Sequence, residues 1–511
     1  MRNSLFTFVK THSLNLIVVA AACVLIQGRL LLQPSVGIDT EVMLYNPELQ
    51  YRAWESIGRN GLVLLSRLFQ PGAFSLMRAG ILTLVFLFLA AVLWTYLFSS
   101  FRKETGRLQV LIVSLVLVCS PLLTEQFYFR LQSAEVALTM CLVAAALLLV
   151  RHFAEGGGWA FLCVASLLFG FSVSVYQSFV ALFLTGAAIL YVQAVLAEEE
   201  KVLRKRLLSA SLAVFAAGFL LCRIAVRVLS PAGMFAAGDI FWTSRPFGEN
   251  LYDILRAYAY VYGARSMDFT PAIPLTAVLV CVIAWRFAKE RRHLRGALFA
   301  GMFVLLFVAP FAVHLFVGGS LPARARFPVS FLYAFLAFLA ARRMEEFLFT
   351  EKEEAGPAQM LAGYLTALVL FGGIVHSGYV SFYLGMTDLT RYREDVAFAQ
   401  ELWEESASLR TQAPDAAALT YAFYGVHAAE TEEVSEVIGK SVFGWDAAEE
   451  AGWRTAPRIR YFFAYLGMPY AAPEASRIKE HAPDAAAMPS FPLEGSMILS
   501  DNTVYIKLGA E

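Results

Sequence analysis

Apolar runs long enough to cross a bilayer recur along this chain and leave it few folds to adopt. A membrane-spanning helix needs about 20 consecutive apolar residues, because it rises about 1.5 Å per residue across a hydrocarbon layer about 30 Å thick. By that criterion spans lie near residues 14–32, 74–98, 108–123, 135–150, 158–173, 178–196, 208–229, 271–287, 297–317, 327–341 and 359–384, about eleven in all. In lipid, backbone polar groups must be satisfied within the segment, so the runs predict helices. Composition agrees, since 58% of the 511 residues are hydrophobic and only 16% are charged. The net charge is zero, which excludes nucleic-acid binding by bulk electrostatics.

The first apolar run follows Arg2 and Lys10, as a signal peptide would, but it is too long and no small-residue cleavage site follows it. It reads as a retained span that stops at Gln33-Pro34. Cys23, Cys119, Cys141, Cys163, Cys222 and Cys281 all lie in apolar runs and form no CxxC pair. They predict buried free thiols rather than a metal site or a disulfide framework. Short connections rich in Lys and Arg stay in the cytoplasm. Phe101–Arg107, Lys201–Arg206, Arg286–Arg295 and Arg342-Arg343 are basic, and they alternate with connections poorer in basic residues: 33–73, 124–134, 174–177, 230–270 and 318–326. The alternation predicts a cytoplasmic N-terminus, with Asp39 and the C-terminal segment outside.

Two outer connections have helical apolar patterns. Segment 46–67 carries Leu49, Ala53, Trp54 and Ile57; segment 246–263 carries Leu251, Ile254, Leu255, Tyr258 and Val261. Both read as helices lying in the membrane interface, the first anchored by Trp54, or as plainly packed connections. From about residue 386 Asp, Glu, Ala and Pro dominate and no span follows. Residues 393–410 predict a helix, Ala417–Val426 a strand, Glu432–Val442 a helix, and Met497–Leu508 a hairpin turning at Asp501-Asn502. The predicted fold is thus a polytopic all-α membrane domain over residues 1–385, followed by a small extracytoplasmic α/β domain over 386–511.

The acids of Gly37-Ile38-Asp39-Thr40-Glu41 stand where the chain leaves the first span. A carboxylate there can take a proton from a hydroxyl held at the membrane surface; acids at a span's end are also found simply solvated. Arg59, Arg130, Arg324 and Arg326 lie on the same side and could bind phosphate through the planar guanidinium fork, or snorkel to lipid headgroups. Cations at the mouth of a span are costly unless something anionic meets them. If Arg324-Ala325-Arg326 is extended, its two arginines point the same way. Tyr176 and Gln177, in the turn Ser174–Ser178, could hydrogen-bond a sugar or cap helices. His314 reads as a packed histidine with no metal-ligand partner. No Walker loop, GxSxG, HExxH or dinucleotide fingerprint occurs, so nucleotide-driven chemistry has no support.

This pattern resembles the type II Gtr family of bacterial glucosyltransferases, the serotype-converting enzymes of the polytopic GT-C class. The matching pieces are Asp39 after the first span, Trp54 with Gly58-Arg59, Pro121 with Gln126-Phe127 and Arg130, and the Ser174–Ser178 turn. Arg326 with Pro328, the stretch Arg391-Tyr392-Arg393-Glu394-Asp395-Val396, and the ending Met488-Pro489, Pro492 and Gly495-Ser496 complete them. The resemblance implies a bacterial inner-membrane enzyme that takes glucose from a polyprenyl-phosphate carrier and adds it to O-antigen on the periplasmic side. By resemblance Asp39 is the base, Glu41 a helper or substrate ligand, and Arg326 or Arg59 a phosphate ligand. Members of this class often have adjacent acids, whereas Thr40 separates them here. Which carboxylate acts, and whether a divalent metal takes part, therefore stay open; hard-metal sites want several oxygen ligands and only two are at hand. The competing readings are a transporter or flippase of lipid-linked sugars, and an O-antigen polymerase or ligase. Charges gathered at the outer interface rather than within the spans count against transport.

Overall fold

Each of the eleven apolar runs lies on helix in the computed structural model. The structure describes residues 4–32, 35–102, 104–230, 240–290, 297–349, 356–431, 435, 437–445 and 453–509, the side chains of 286–290 and 297–299 excepted. Gln33-Pro34, Lys103 and most of the basic stretch after Glu290 fall outside the described residues. Among the described residues, seven helices are long and apolar enough to cross a membrane, and nine segments qualify if each of two bent pairs is one span. The pairs are Leu5–Thr11 with Ser13–Gln27, bent by 82°, and Arg107–Val118 with Pro121–Phe127, bent by 42°. Pro121 explains the second bend, because proline supplies no N–H to continue the ladder. The two remaining runs form the shorter apolar helices Ala160–Val175 and Ala272–Trp285.

The chain divides into two compact units. The first comprises residues 1–32, 53–127 and 132–383. At its centre, helices Phe179–Leu196 and Pro328–Phe349 are buried over most of their length. Lys201–Leu229 is peripheral and exposes Leu212, Leu220, Ile224 and Val228, as expected where the solvent is lipid. Polar contacts link the helices: the Trp94 indole donates to the Met140 carbonyl at 3.0 Å, Ser120 meets Ser330 at 2.6 Å, and Thr83 meets Ser133 at 2.7 Å. Such bonds, with close packing, hold membrane helices together where no hydrophobic effect acts between them.

The second unit comprises residues 33–52, 128–131 and 384–511. The helix Pro357–Glu405 contributes its last part here. A three-stranded sheet follows, of β1 (Thr420–Tyr424), β2 (Met497–Ser500) and β3 (Thr503–Lys507), in the order β1-β3-β2. β1 runs parallel to β3 with Thr420 opposite Thr503, and β2 antiparallel to it with Met497 opposite Ile506. Asp501 and Asn502 turn the hairpin with φ of 42° and 58°, the left-handed pair that matches strand twist.

Several expectations need correction. The pattern over 46–67 is two helices, Pro47–Ser56 and Asn60–Phe69, broken at Gly58, whose φ of 78° suits a residue without a Cβ. Trp54 is only 2% exposed and so does not anchor in lipid. Lys201–Arg206 is no connection but the first turns of a 29-residue helix, and Arg342-Arg343 likewise lies within helix Pro328–Phe349. Ser435 and residues 437–441 are not helical; the rest of the helix expected over 432–442 lies outside the described residues, apart from Val442, which opens a short turn of helix. Cys163 and Cys281 are exposed while the other four cysteines are buried, and all six are free.

Candidate functional site

The acids of the first loop meet an arginine more than 400 residues further along the chain. Asp39 is the N-cap of the short helix Thr40–Tyr45, in the left-handed region with φ 70° and ψ −28°. Its side chain makes no capping bond. It instead accepts from Arg458 Nη2 at 3.1 Å, while Glu41 accepts from Nη1 of the same guanidinium at 2.8 Å. Thr40 between them does not separate the two carboxylates in space. Asp39 takes the left-handed conformation, Glu41 enters the helix, and both side chains reach one planar fork. Aspartate is among the few residues that visit this region readily.

The two acids differ in access. The Asp39 side chain is 19% exposed and that of Glu41 is fully closed off. Glu41 Oε2 is buried with no hydrogen-bond partner. Burial pushes the Glu41 carboxyl up to about 7, against the pull of Arg458, and the charge of Asp39 adds to the rise. The two carboxylates hold the Arg458 proton more firmly, even though burial works against its charge.

A second network braces the same loop. Arg391 is fully buried and binds Asp388 at 2.9 Å and Asp395 at 2.8 Å, its neighbours at i−3 and i+4 on one helix face. It also donates to the Val36 carbonyl at 3.0 Å and to Ser35 at 3.2 Å, and Ser35 donates to Asp388. Ser441 donates to the other oxygen of Asp395 at 2.5 Å. The Arg391 guanidinium lies 5.8 Å from the ring centre of buried Tyr128. Arg130, also in this unit, is buried.

The other residues singled out belong to the first unit. Three of them come together. The Arg59 guanidinium lies 4.8 Å from the Tyr176 ring centre, its Nε donates a long bond of 3.4 Å to Gln177, and the Gln177 amide donates to the Ile57 carbonyl at 3.0 Å. Arg324 and Arg326 do not point the same way. Ala323–Arg326 is a turn of 3-10 helix between Pro322 and Pro328, where side chains two apart diverge. Arg326 turns inward and donates to Ser320, the Leu321 carbonyl and His314 Nε2, while Arg324 is half-buried. Trp54 is packed inside.

A divalent metal does not fit the donor set. Both first-loop carboxylates face a guanidinium, and no group of three His, Cys, Asp or Glu stands together among the described residues.

Sequence reasoning missed Arg458 altogether. It sits in Pro457-Arg458-Ile459-Arg460, at the start of helix Pro457–Tyr465, and nothing local distinguishes it from Arg460. The Arg391 network left a clearer signal in the spacing of Asp388, Arg391 and Asp395 on one helical face.

Comparison with known proteins gives two findings. The model of the family described as "Glucosyl transferase GtrII" matches residues 28–341. Among solved structures, the chain is similar to the Archaeoglobus fulgidus oligosaccharyltransferase tethered with an acceptor peptide, at 13% identity and a TM-score of 0.40. That similarity covers 77% of this chain and 58% of the other. No curated protein matches the sequence.

Proposed function

This chain belongs to the GtrII glucosyl transferase family, and from that premise we propose that it moves a hexose, glucose by family, from a polyprenyl-phosphate carrier to a glycan such as O-antigen outside the cytoplasm. The enzyme would lie in a bacterial inner membrane, with its N-terminus cytoplasmic and residues 386–511 periplasmic. The observation that carries the site assignment is the convergence of Asp39 and Glu41 on Arg458, with Asp39 partly exposed and Glu41 sealed.

Asp39 is the general base of this proposal. The acceptor hydroxyl oxygen attacks the anomeric carbon and its proton passes to the Asp39 carboxylate. The bond from that carbon to the carrier's phosphate oxygen breaks, and polyprenyl phosphate leaves with the electron pair. Glu41 and Arg458 touch no reacting atom; they fix where the Asp39 carboxylate points. Among the arginines, Arg59 is the proposed phosphate ligand. Tyr176 and Gln177 pre-organise its guanidinium, and a planar fork suits a phosphodiester. Arg324 is a second candidate, whereas Arg326 is already engaged by three partners and Arg130 is buried.

The deciding experiment is mass spectrometry of the host's surface glycan in wild type, deletion and Asp39→Asn strains. Loss of one hexose per acceptor in both altered strains is expected, with the variant protein still in the membrane fraction. A deletion that leaves every surface glycan unchanged would overturn the reading.

A further inference from the structure

The first unit contains a cavity that the transferase reading does not use. It measures about 310 Å³ and is lined by Arg102, Arg107, Arg151, His12, Ser99 and Ser100, with Glu104 the one carboxylate among the described lining residues. It adjoins a wider cavity of about 1040 Å³, which shares Arg102 and Glu104 and is also lined by Ala197, Glu198 and Arg342. The polar connections around residues 101–107 and 197–200 therefore meet the polar end of helix Pro328–Phe349, residues 342–346.

Three observations say that the smaller cavity is built for an anion. First, among the described residues its lining cations, Arg102, Arg107 and Arg151, outnumber its lining carboxylates. Arg151 is bonded to Glu155 at 2.9 Å. Glu345 and Glu346 act on Arg102 through their charge, but each also serves another partner: Glu345 accepts the Leu108 N–H, and Glu346 is bound by both Arg342 and Arg343. Burial, with Arg342 and Arg343 close by, pulls the Arg102 guanidinium down to about 10 against the opposing charges of Glu346 and Glu345. Second, two lining side chains that are more than nine-tenths buried hold polar atoms with no partner, His12 Nδ1 and Ser100 Oγ. Buried groups of that kind are rare unless something satisfies them. Third, Arg107 is the first residue of helix Arg107–Val118. A cation there opposes the helix dipole, and an anion beside it would reverse the penalty.

We propose that this cavity binds the phosphate of an anionic ligand, either a phospholipid headgroup or a soluble phosphate ester. Arg102 and Arg107 supply the forks, and Ser100 and His12 the remaining hydrogen bonds. Guanidinium forks match phosphate oxygens in geometry as well as charge. A basic connection at a membrane surface is also where anionic headgroups gather. The cavity shares no described lining residue with the Arg59, Tyr176 and Gln177 cluster, and its occupation does not depend on the identity of the transferred sugar.

The test compares the whole protein with the double variant Arg102→Gln/Arg107→Gln. Each is purified in detergent and examined by native mass spectrometry after exchange into phosphatidylglycerol or phosphatidylcholine, and by titration with glycerol 3-phosphate. Retention of one phosphatidylglycerol by the wild type, weakened about tenfold or more in the variant, assigns a lipid phosphate. Saturable glycerol 3-phosphate binding, lost in the variant, assigns a soluble ester. Equal behaviour of wild type and variant toward both probes overturns the proposal. Should the double variant fail to fold, Arg102→Lys decides by the same readout, because it keeps the charge and loses the fork; unchanged binding of both probes in that variant sinks the role of Arg102. Hexose transfer, measured alongside, separates failure of this site from failure of the transferase reading.

Discussion

Asp39 combines two properties that make it a clean target. Its backbone is left-handed, and its carboxylate is the accessible one of the pair. Asparagine populates that backbone region as readily as aspartate, so Asp39→Asn removes the proposed base without adding strain. We expect hexose transfer to fall by about a hundredfold to ten-thousandfold, the usual worth of a general base, with unchanged insertion; an active variant would reassign the base. Glu41 gives a pH signature. With its carboxyl at about 7, the folded chain keeps a proton that the unfolded chain loses above about 4.5. Its stabilising contribution is therefore complete below the lower value and is lost as pH rises through about 7. Activity should run the opposite way, because the ionised carboxylate holds Arg458. Transfer is expected to rise through about pH 7 in the wild type, and Glu41→Gln should flatten that limb at a low level. A wild-type profile already flat between about pH 6 and about pH 8 would remove Glu41 from the site. Arg458→Lys should retain less than the wild type and more than Arg458→Ala, since lysine cannot span two carboxylates with a fork; equal rates in the two variants would count against the clamp.

At the scale of elements, the first loop is held by the tail helix through Arg391. The charges of Arg391, Asp388 and Asp395 are buried, and removing one member of a buried ion network leaves the others uncompensated. Arg391→Ala should cost about 3–5 kcal/mol, read as a lowered melting midpoint in detergent; a midpoint within error of the wild type would show the network to be dispensable. Gly37 lies against the same support, for a Cβ placed on it would come within 2.4 Å of the Tyr128 hydroxyl. The sequence made some of these elements plain. The hairpin at Asp501-Asn502 follows from turn chemistry, and the spans from runs of apolar residues. It did not show the break at Gly58, because the apolar spacing continues across it. Nor did it show that Ala323–Arg326 winds tightly between two prolines rather than extending. The acid pair was legible as a candidate because it sits where a span ends. Its partner was not, because a contact between residues 417 positions apart is set by packing and leaves no periodicity to read.

At the scale of the molecule, the second unit is assembled from three separated stretches, 33–52, 128–131 and 384–511. A chain ended after Tyr383 would keep Asp39 and Glu41 yet lose Arg458, Arg391 and the sheet. We expect it to reach the membrane and transfer nothing, as judged by membrane fractionation and glycan mass spectrometry; retained transfer would show that the tail plays no part in the site. The same arrangement has a consequence in time. A ribosome adding about 5–20 residues per second needs about 20–80 s to travel from the codon for Glu41 to that for Arg458. Throughout that interval the acids stand without their cation, so the nascent chain cannot complete the clamp until synthesis nears its end. The order of translation thus acts as a timer on the site, and premature termination anywhere before Arg458 yields a protein without it.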